Sequence, residues 1–167
     1  FPELFAPMLE VGVTRRAFAS GLVHVRLWQL RDFAEGQYRR VDDRPFGGGP
    51  GMVMLAQPLW QCLHAIREDR AEPAERQAPV VLFSPAGVPL THGEVQRWAA
   101  ADSMGAILVC GRYEVVDQRF VDTCVDAQIS LGDFVLSGGE IPAMALLDAV
   151  ARLQPGVLQD ADSHAQD

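Results

Sequence analysis

The chain has 167 residues, is 49% hydrophobic, and carries 14 basic against 22 acidic side chains for a net charge of −8. That suits one core and most simply one domain, with no apolar run long enough to span a bilayer and no secretory leader. All 14 basic residues are Arg, which excludes a Walker A loop, a pyridoxal Schiff base and a Lys-activated nucleophile; the acidic balance argues mildly against a nucleic-acid partner.

In chain order, Thr14 is expected to cap a short helix that Gly21 ends. Val23, Val25 and Leu27 alternate with His24, Arg26 and Trp28, the pattern of a half-buried strand. A polar loop from Arg31 to Pro50 is too long for a mere connector, and is therefore either functional or mobile. Pro58 starts a helix with Leu59, Cys62, Leu63 and Ile66 on one face, and Glu68 to Pro79 reads as a surface linker or a frayed helix end. Then come three apolar β-type runs, each emptying into a loop: Val80–Phe83 into Ser84–Gly87, Ile107–Cys110 into Gly111–Glu114, and Ile129–Leu131 into Gly132–Glu140. Helices are expected between and after them: one with a Thr91/Glu94 capping box, one over Val116–Cys124, and one from Pro142 to about Leu153, ended by Pro155-Gly156. The expected fold class is α/β, a mostly parallel sheet flanked by helices, with the three loops at one edge.

Ligands of open α/β sheets bind outside the carboxyl ends of the strands, so these loops form a candidate pocket. Taken singly, each loop also reads as ordinary turn and cap chemistry; their convergence on one edge is what singles them out. Apart from Arg112, the pocket charges are Glu114, Asp133 and Glu140. A phosphate-bearing cofactor is poorly received there, whereas a cationic nucleoside ligand such as S-adenosylmethionine suits it. The run Arg44-Pro45-Phe46-Gly47-Gly48-Gly49-Pro50-Gly51-Met52 lets a backbone approach a flat ligand, or else is a flexible hairpin tip. Four scattered histidines without HExxH or paired Cys/His spacing argue against a metal site, and no GxSxG nucleophile elbow occurs. Cys62, Cys110 and Cys124 lack CxxC spacing and are expected to be buried, reduced thiols of a cytoplasmic protein. The chain opens without Met and closes in a polar acidic tail, so a fragment of a longer protein is expected.

Three strings carry a resemblance: Val41–Met52, Leu108–Glu114 and Gly132–Met144. In content and order the chain resembles the bacterial tRNA (guanine-N1)-methyltransferases, of the trefoil-knotted SPOUT class. The resemblance implies a homodimer that uses S-adenosylmethionine to methylate N1 of the guanine 3′ of the anticodon in tRNA. It also implies a deep knot at the cofactor site. Residues 1–158 would form the catalytic domain and 159–167 the start of a linker to a tRNA-holding domain. The motifs place cofactor contacts on Ser84, Pro85, Gly87, Gly111, Tyr113, Glu114, Leu131, Gly132, Asp133, Phe134, Val135, Leu136, Gly138, Gly139 and Pro142. They place Asp42, Arg44, Pro50 and Gly51 at the guanine or its 5′ neighbour, Arg152 at the guanine O6, and Asp167 as the general base. Two positions depart from the family: Val115, where Gly is usual, and Ala86, where Gln is frequent. The alternatives are a ribose 2′-O-methyltransferase of the same class and a non-catalytic nucleoside-binding module.

Overall fold

The computed structural model describes residues 1–70 and 75–158. In chain order its elements are α1 (Ala6–Glu10), α2 (Arg15–Ala19), β1 (Asp42–Asp43), β2 (Val53–Met54), α3 (Ala56–Asp69), β3 (Val80–Pro89), α4 (His92–Ala99), β4 (Ile107–Val109), β5 (Val115–Val116), α5 (Gln118–Cys124), β6 (Ala127–Ser130) and α6 (Glu140–Arg152). Short 3-10 turns lie at Pro2–Leu4, Leu30–Phe33 and Glu75–Gln77. Two compact units result: an α/β unit of Trp28–Pro89 and Met104–Gly139, and a helical unit of Phe1–Leu27, Leu90–Ser103 and the chain from Glu140.

The α/β unit is built on a parallel sheet in the order β4-β3-β6, as the three apolar runs lead one to expect. Central β3 is covered on both faces, with Val80, Val81, Leu82 and Phe83 all buried, so its sequence is a continuous apolar run rather than an alternation. Its start is pinned by a reciprocal pair: the Val80 amide donates to Asp126 Oδ2 at 2.7 Å and the Asp126 amide to the Val80 carbonyl at 2.9 Å. One expectation is corrected here. The first run does not end at Phe83; Ser84–Gly87 leave the ladder as a bulge, and β3 resumes with Val88 opposite the same Ile129 that faces Phe83. Gly87 makes this possible, since a Cβ there would lie 2.5 Å from the Gln128 carbonyl carbon.

A second, smaller sheet pairs β1 with β2 antiparallel and β2 with β5 parallel. Met54, Leu59, Leu63, Val80, Ile107 and Phe120 form one core cluster in this unit, so β2, β3, β4, α3 and α5 share it. Helix α3 begins at Ala56, two residues before the expected start, and Pro58 sits in its first turn, where no amide partner is needed. Cys62 lies on its buried face, and burial pushes the thiol up to about 11, so it stays protonated. Cys110 and Cys124 are only half-buried, against expectation, because each lies where an element meets a loop; none of the three is in a disulfide. Helix α5 begins at Gln118 rather than Val116, because Val115-Val116 pair as β5 and Asp117 takes the cap position.

In the helical unit Ala17, Ala151 and Val157 are fully buried, with Phe18 and Val23 packed against them. The two alanines allow α2 and α6 to approach closely, and Arg16 donates to the Val157 carbonyl at 3.3 Å. Thr14 does not cap α2: its own backbone is already helical, and its hydroxyl donates to Asp148 Oδ1 at 2.9 Å. Gly21, at φ +74°, ends the helix as expected. Val23 and Val25 are half-buried and His24 and Arg26 exposed, as expected, but the alternation fails at its end, where Leu27 is exposed and Trp28 half-buried. No ladder partner exists among the described residues, however, and the segment is extended chain rather than a strand. Thr91 caps α4 by accepting from the Glu94 amide at 3.3 Å, while the Glu94 carboxylate pairs with Arg97 instead of closing the box. Among the described residues no helix is long and apolar enough to cross a membrane.

Asp117 offers a test of this packing. Its carboxylate accepts from the Arg119 amide at 3.0 Å and from the guanidinium at 2.6 and 3.0 Å, while its own amide donates to the Met54 carbonyl at 2.9 Å. The Arg119 hydrogen bond holds this carboxyl below its ordinary value. A group depressed on folding stabilises fully above its unfolded pKa and loses that contribution as pH falls through the folded value. Asp117→Ala should therefore cost about 1–2 kcal/mol at pH 7 in urea denaturation. The gap to the parent chain should narrow below the ordinary carboxylate range; a gap independent of pH would contradict the assignment.

Candidate functional site

Because β3, β4 and β6 are parallel, the Ser84–Gly87 bulge and the turns after β4 and β6 lie toward one end of the sheet. The last two are joined directly. The Gly139 amide donates to the Gly111 carbonyl at 2.8 Å, and Arg112 and Gly138 form an antiparallel bridge. A Cβ on Gly139 would stand 2.7 Å from Cys110 Cα and 3.0 Å from the Gly111 nitrogen, so backbone rests on backbone. Inside the longer turn, the Ser130 hydroxyl donates to the Gly132 carbonyl at 3.0 Å, which also accepts from the Phe134 amide at 2.9 Å. The Phe134 ring covers Gly132, where a Cβ would lie 3.0 Å from Cδ1.

The turn after β4 is strained and anchored. Tyr113 has φ +63°, a conformation that side-chain-bearing residues seldom adopt, and its ring is 43% exposed. The Arg112 amide donates to the buried Met54 Sδ at 3.0 Å. Glu114 Oε2 accepts from the Met52 amide at 2.6 Å. Gly51, at φ +93°, lies so close that a Cβ would stand 2.7 Å from Glu114 Cγ. The Gly-rich run therefore ends seated on the β4 turn, while Phe46 to Pro50 form an exposed tip. Glu114, expected among cofactor contacts, is committed through one oxygen to this seat. Val115 is 55% exposed and pairs opposite Val53 in β5, so the departure from the family's Gly is absorbed by a strand.

Several expected residues are thus brought together in one unit: Ser84, Pro85 and Gly87 on the bulge, Gly111, Tyr113 and Glu114 after β4, and Leu131–Leu136 with Gly138 and Gly139 after β6. Leu131 and Leu136 are half-buried, whereas Asp133, Phe134 and Val135 are exposed. The rim combines two exposed carboxylates, Glu114 and Asp133, with apolar surface from Tyr113, Phe134 and Val135 and with glycine backbone. Asp42 and Arg44 stand at the entry to the Gly-rich loop, and Pro50 and Gly51 at its exit. Pro142 and Arg152 belong to α6 of the helical unit, the first buried and the second half-buried. Asp167 lies outside the described residues. Among those, no cluster of three His, Cys, Asp or Glu could hold a metal.

The Met52–Glu114 bond, the Met54 thioether acceptor and the Ser130 hydroxyl bridge were not expected from sequence. Only the Asp117 cap left a legible signal: an Asp immediately before a helix. The other three depend on partners up to 62 positions apart.

All 167 residues match the family model described as tRNA (Guanine-1)-methyltransferase TrmD. The chain belongs to this family. It is 71% identical to the "tRNA (guanine-N(1)-)-methyltransferase" of Paracidovorax citrulli (strain AAC00-1), covering 100% of this chain and 65% of that protein. The same identity and coverage hold for the protein of that name from Albidiferax ferrireducens (strain ATCC BAA-621 / DSM 15236 / T118). The chain thus spans about 65% of the length of these TrmD relatives. The crystal structure of tRNA (m1G37) methyltransferase from Aquifex aeolicus superposes with a TM-score of 0.83 at 38% identity, covering 96% of this chain and 69% of that one.

Backbone seating makes an ordered prediction for the glycines. Gly87→Ala and Gly139→Ala place a methyl group against main chain and should each lose on the order of 1–3 kcal/mol, several degrees in Tm. Gly111→Ala meets only the Val116 and Leu82 side chains, at 3.3 and 3.5 Å, and should lose less. Scanning calorimetry of the three variants checks the order.

Proposed function

We propose that this chain is the catalytic domain, over residues 1–158, of an S-adenosylmethionine-dependent tRNA (guanine-N1)-methyltransferase, with 159–167 beginning a linker. The whole-length family match carries the reading. The rim supports the cofactor assignment: Glu114 and Asp133 suit a cationic ligand, the apolar surface of Phe134 and Val135 suits an adenine, and glycine amides and carbonyls can read its polar edge. S-adenosylmethionine, when bound, supplies an electrophilic methyl group on a sulfonium.

Ser84, Pro85, Gly87, Gly111, Tyr113, Glu114, Leu131–Leu136, Gly138, Gly139 and Pro142 are the residues proposed to hold it. A guanine N1 that bears a proton is a poor nucleophile, so the proton must leave, and Asp167 is proposed to take it. Negative charge then collects on O6, and Arg152 is proposed to stabilise it. Asp42, Arg44, Pro50 and Gly51 would flank the base; Gly51 already rests on Glu114, which ties that wall to the cofactor turn. The bond from Gly139 to the Gly111 carbonyl, which stitches two strand-end turns together, is consistent with the trefoil knot that belongs to this reading. The reading further includes a cytoplasmic location and a homodimer, the latter supported by the exposed Phe1, Leu4, Val11 and Val13 near the amino end.

Isothermal titration should give one S-adenosylmethionine site per chain, with ATP and NAD binding far more weakly; comparable ATP binding would contradict the charge argument. Mass mapping of nucleosides from tRNA treated with the full-length protein should find the new methyl on guanine N1, whereas methyl on ribose would favour the 2′-O class. In that protein Asp167→Ala should lower kcat by several orders of magnitude and leave cofactor affinity within about twofold, as expected when a proton acceptor is removed outside the cofactor contacts.

A further inference from the structure

The segment from Gln37 to Phe46 stands apart from the rest of the chain. It carries three arginines against two aspartates, while the remainder carries 11 basic and 20 acidic side chains. It also holds the two most exposed aromatic rings among the described residues, Phe46 at 93% and Tyr38 at 77%. Each has arginine neighbours in sequence: Arg39 and Arg40 after Tyr38, and Arg44 before Phe46. The segment thus presents two solvent-facing ring surfaces, each flanked by arginine.

Neither ring hangs on slack chain. Tyr38 precedes Arg39, whose φ of +43° is strained for a residue with a side chain. That turn is fixed by three bonds. The Arg39 amide donates to the Gly36 carbonyl at 3.2 Å, its guanidinium to Asp32 Oδ1 at 2.9 Å, and Arg31 to the Arg39 carbonyl at 3.1 Å. Nearby Glu35 accepts from Gln57 of α3 at 2.8 Å. Phe46 occupies the corner of a β-turn closed by the Gly48 amide on the Pro45 carbonyl at 2.9 Å. Between the two turns runs β1, paired to β2, and the loop's far end is seated on Glu114. These bonds over-determine the strained conformation at Arg39 and so present Tyr38 on a fixed turn.

We infer that Tyr38 and Phe46 are stacking platforms for unpaired bases of an RNA loop, with the exposed Arg40 meeting a flanking phosphate. Ring faces accept any base, and arginines beside them neutralise the backbone, the combination that single-stranded nucleic acid requires. The proposal rests on the tRNA reading above and goes beyond it by giving Tyr38, Arg40 and Phe46, which lie in sequence on either side of the proposed base contacts Asp42 and Arg44, a role in holding the RNA loop.

The test uses the full-length protein and an unmodified tRNA transcript. Tyr38→Ala and Phe46→Ala should each weaken tRNA binding on the order of tenfold, raising KM while kcat and S-adenosylmethionine affinity hold. Tyr38→Phe and Phe46→Trp should restore binding and Phe46→Leu should not, which separates stacking from mere apolar cover. Arg40→Gln should reduce the slope of log affinity against log salt by about one contact's worth, roughly 0.7. Unchanged tRNA affinity in both Ala variants overturns that role, as does a shift to monomer in sedimentation with tRNA affinity intact, which would make the rings a contact between copies. Methylation away from guanine N1 with the ring dependence preserved would sink the proposed reaction and keep the role of the rings.

Discussion

The seating of Gly139 on the Cys110–Gly111 backbone is the contact on which the arrangement of the site depends. Strands β4 and β6 are not neighbours in the sheet; β3 lies between them. Their turns would otherwise be independent loops, each free to sample its own conformations at an entropic cost of ordering of roughly 1–2 kcal/mol per residue. One amide-to-carbonyl bond of 2.8 Å, with no room for a Cβ between, fixes the exit of one turn on the entrance of the other. From that point Tyr113 is held in a conformation it would not choose, and Glu114 is placed where Met52 and Gly51 can rest on it.

This chain of contacts links two kinds of surface. The β4 turn contributes to the acid-lined rim, while its Glu114 secures the end of the loop that begins at Arg44. A change in the side chain at position 51 would be felt at Glu114, and a change at Glu114 would release the Gly-rich loop. The two surfaces are therefore mechanically one object within the α/β unit. Asp117 closes the same circuit from below, since its amide bonds to Met54, whose sulfur in turn accepts from Arg112.

The parallel sheet was legible mainly through β3, which is buried on both faces and therefore continuously apolar over Val80–Phe83; Ile107–Val109 is a second apolar run, whereas β6 at Ala127–Ser130 shares only Ile129 and Ser130 with the expected run. The bulge at Ser84–Gly87 was not, because it depends on how closely Gln128 approaches Gly87, a fact of pairing rather than of local sequence. Alternation held over Val23–Arg26 and failed at Leu27 and Trp28, and alternation in any case reports exposure and does not supply a partner for the ladder. Thr14 shows the same limit from the other side: a hydroxyl before a helix can cap it or bond elsewhere, and Asp148, 134 positions away, decided the matter. In the site, the glycines and acids were found by motif, but the commitment of Glu114 to Met52 required the fold.

Net charge was the least informative of the early signals. A value of −8 suggests repulsion from a polyanion, but screening at physiological salt limits each exposed charge to about 8 Å. What a phosphate meets is therefore the local surface, not the sum over the chain. Between Gln37 and Phe46 that surface carries three arginines and two exposed rings, with Arg39 paired to Asp32, while Glu114 and Asp133 lie on other loops. An acidic chain can thus present arginines and rings on one loop and carboxylates on another. The strained turn at Arg39 fits that division: it draws one guanidinium back onto Asp32 and leaves the neighbouring ring and Arg40 facing outward in solvent.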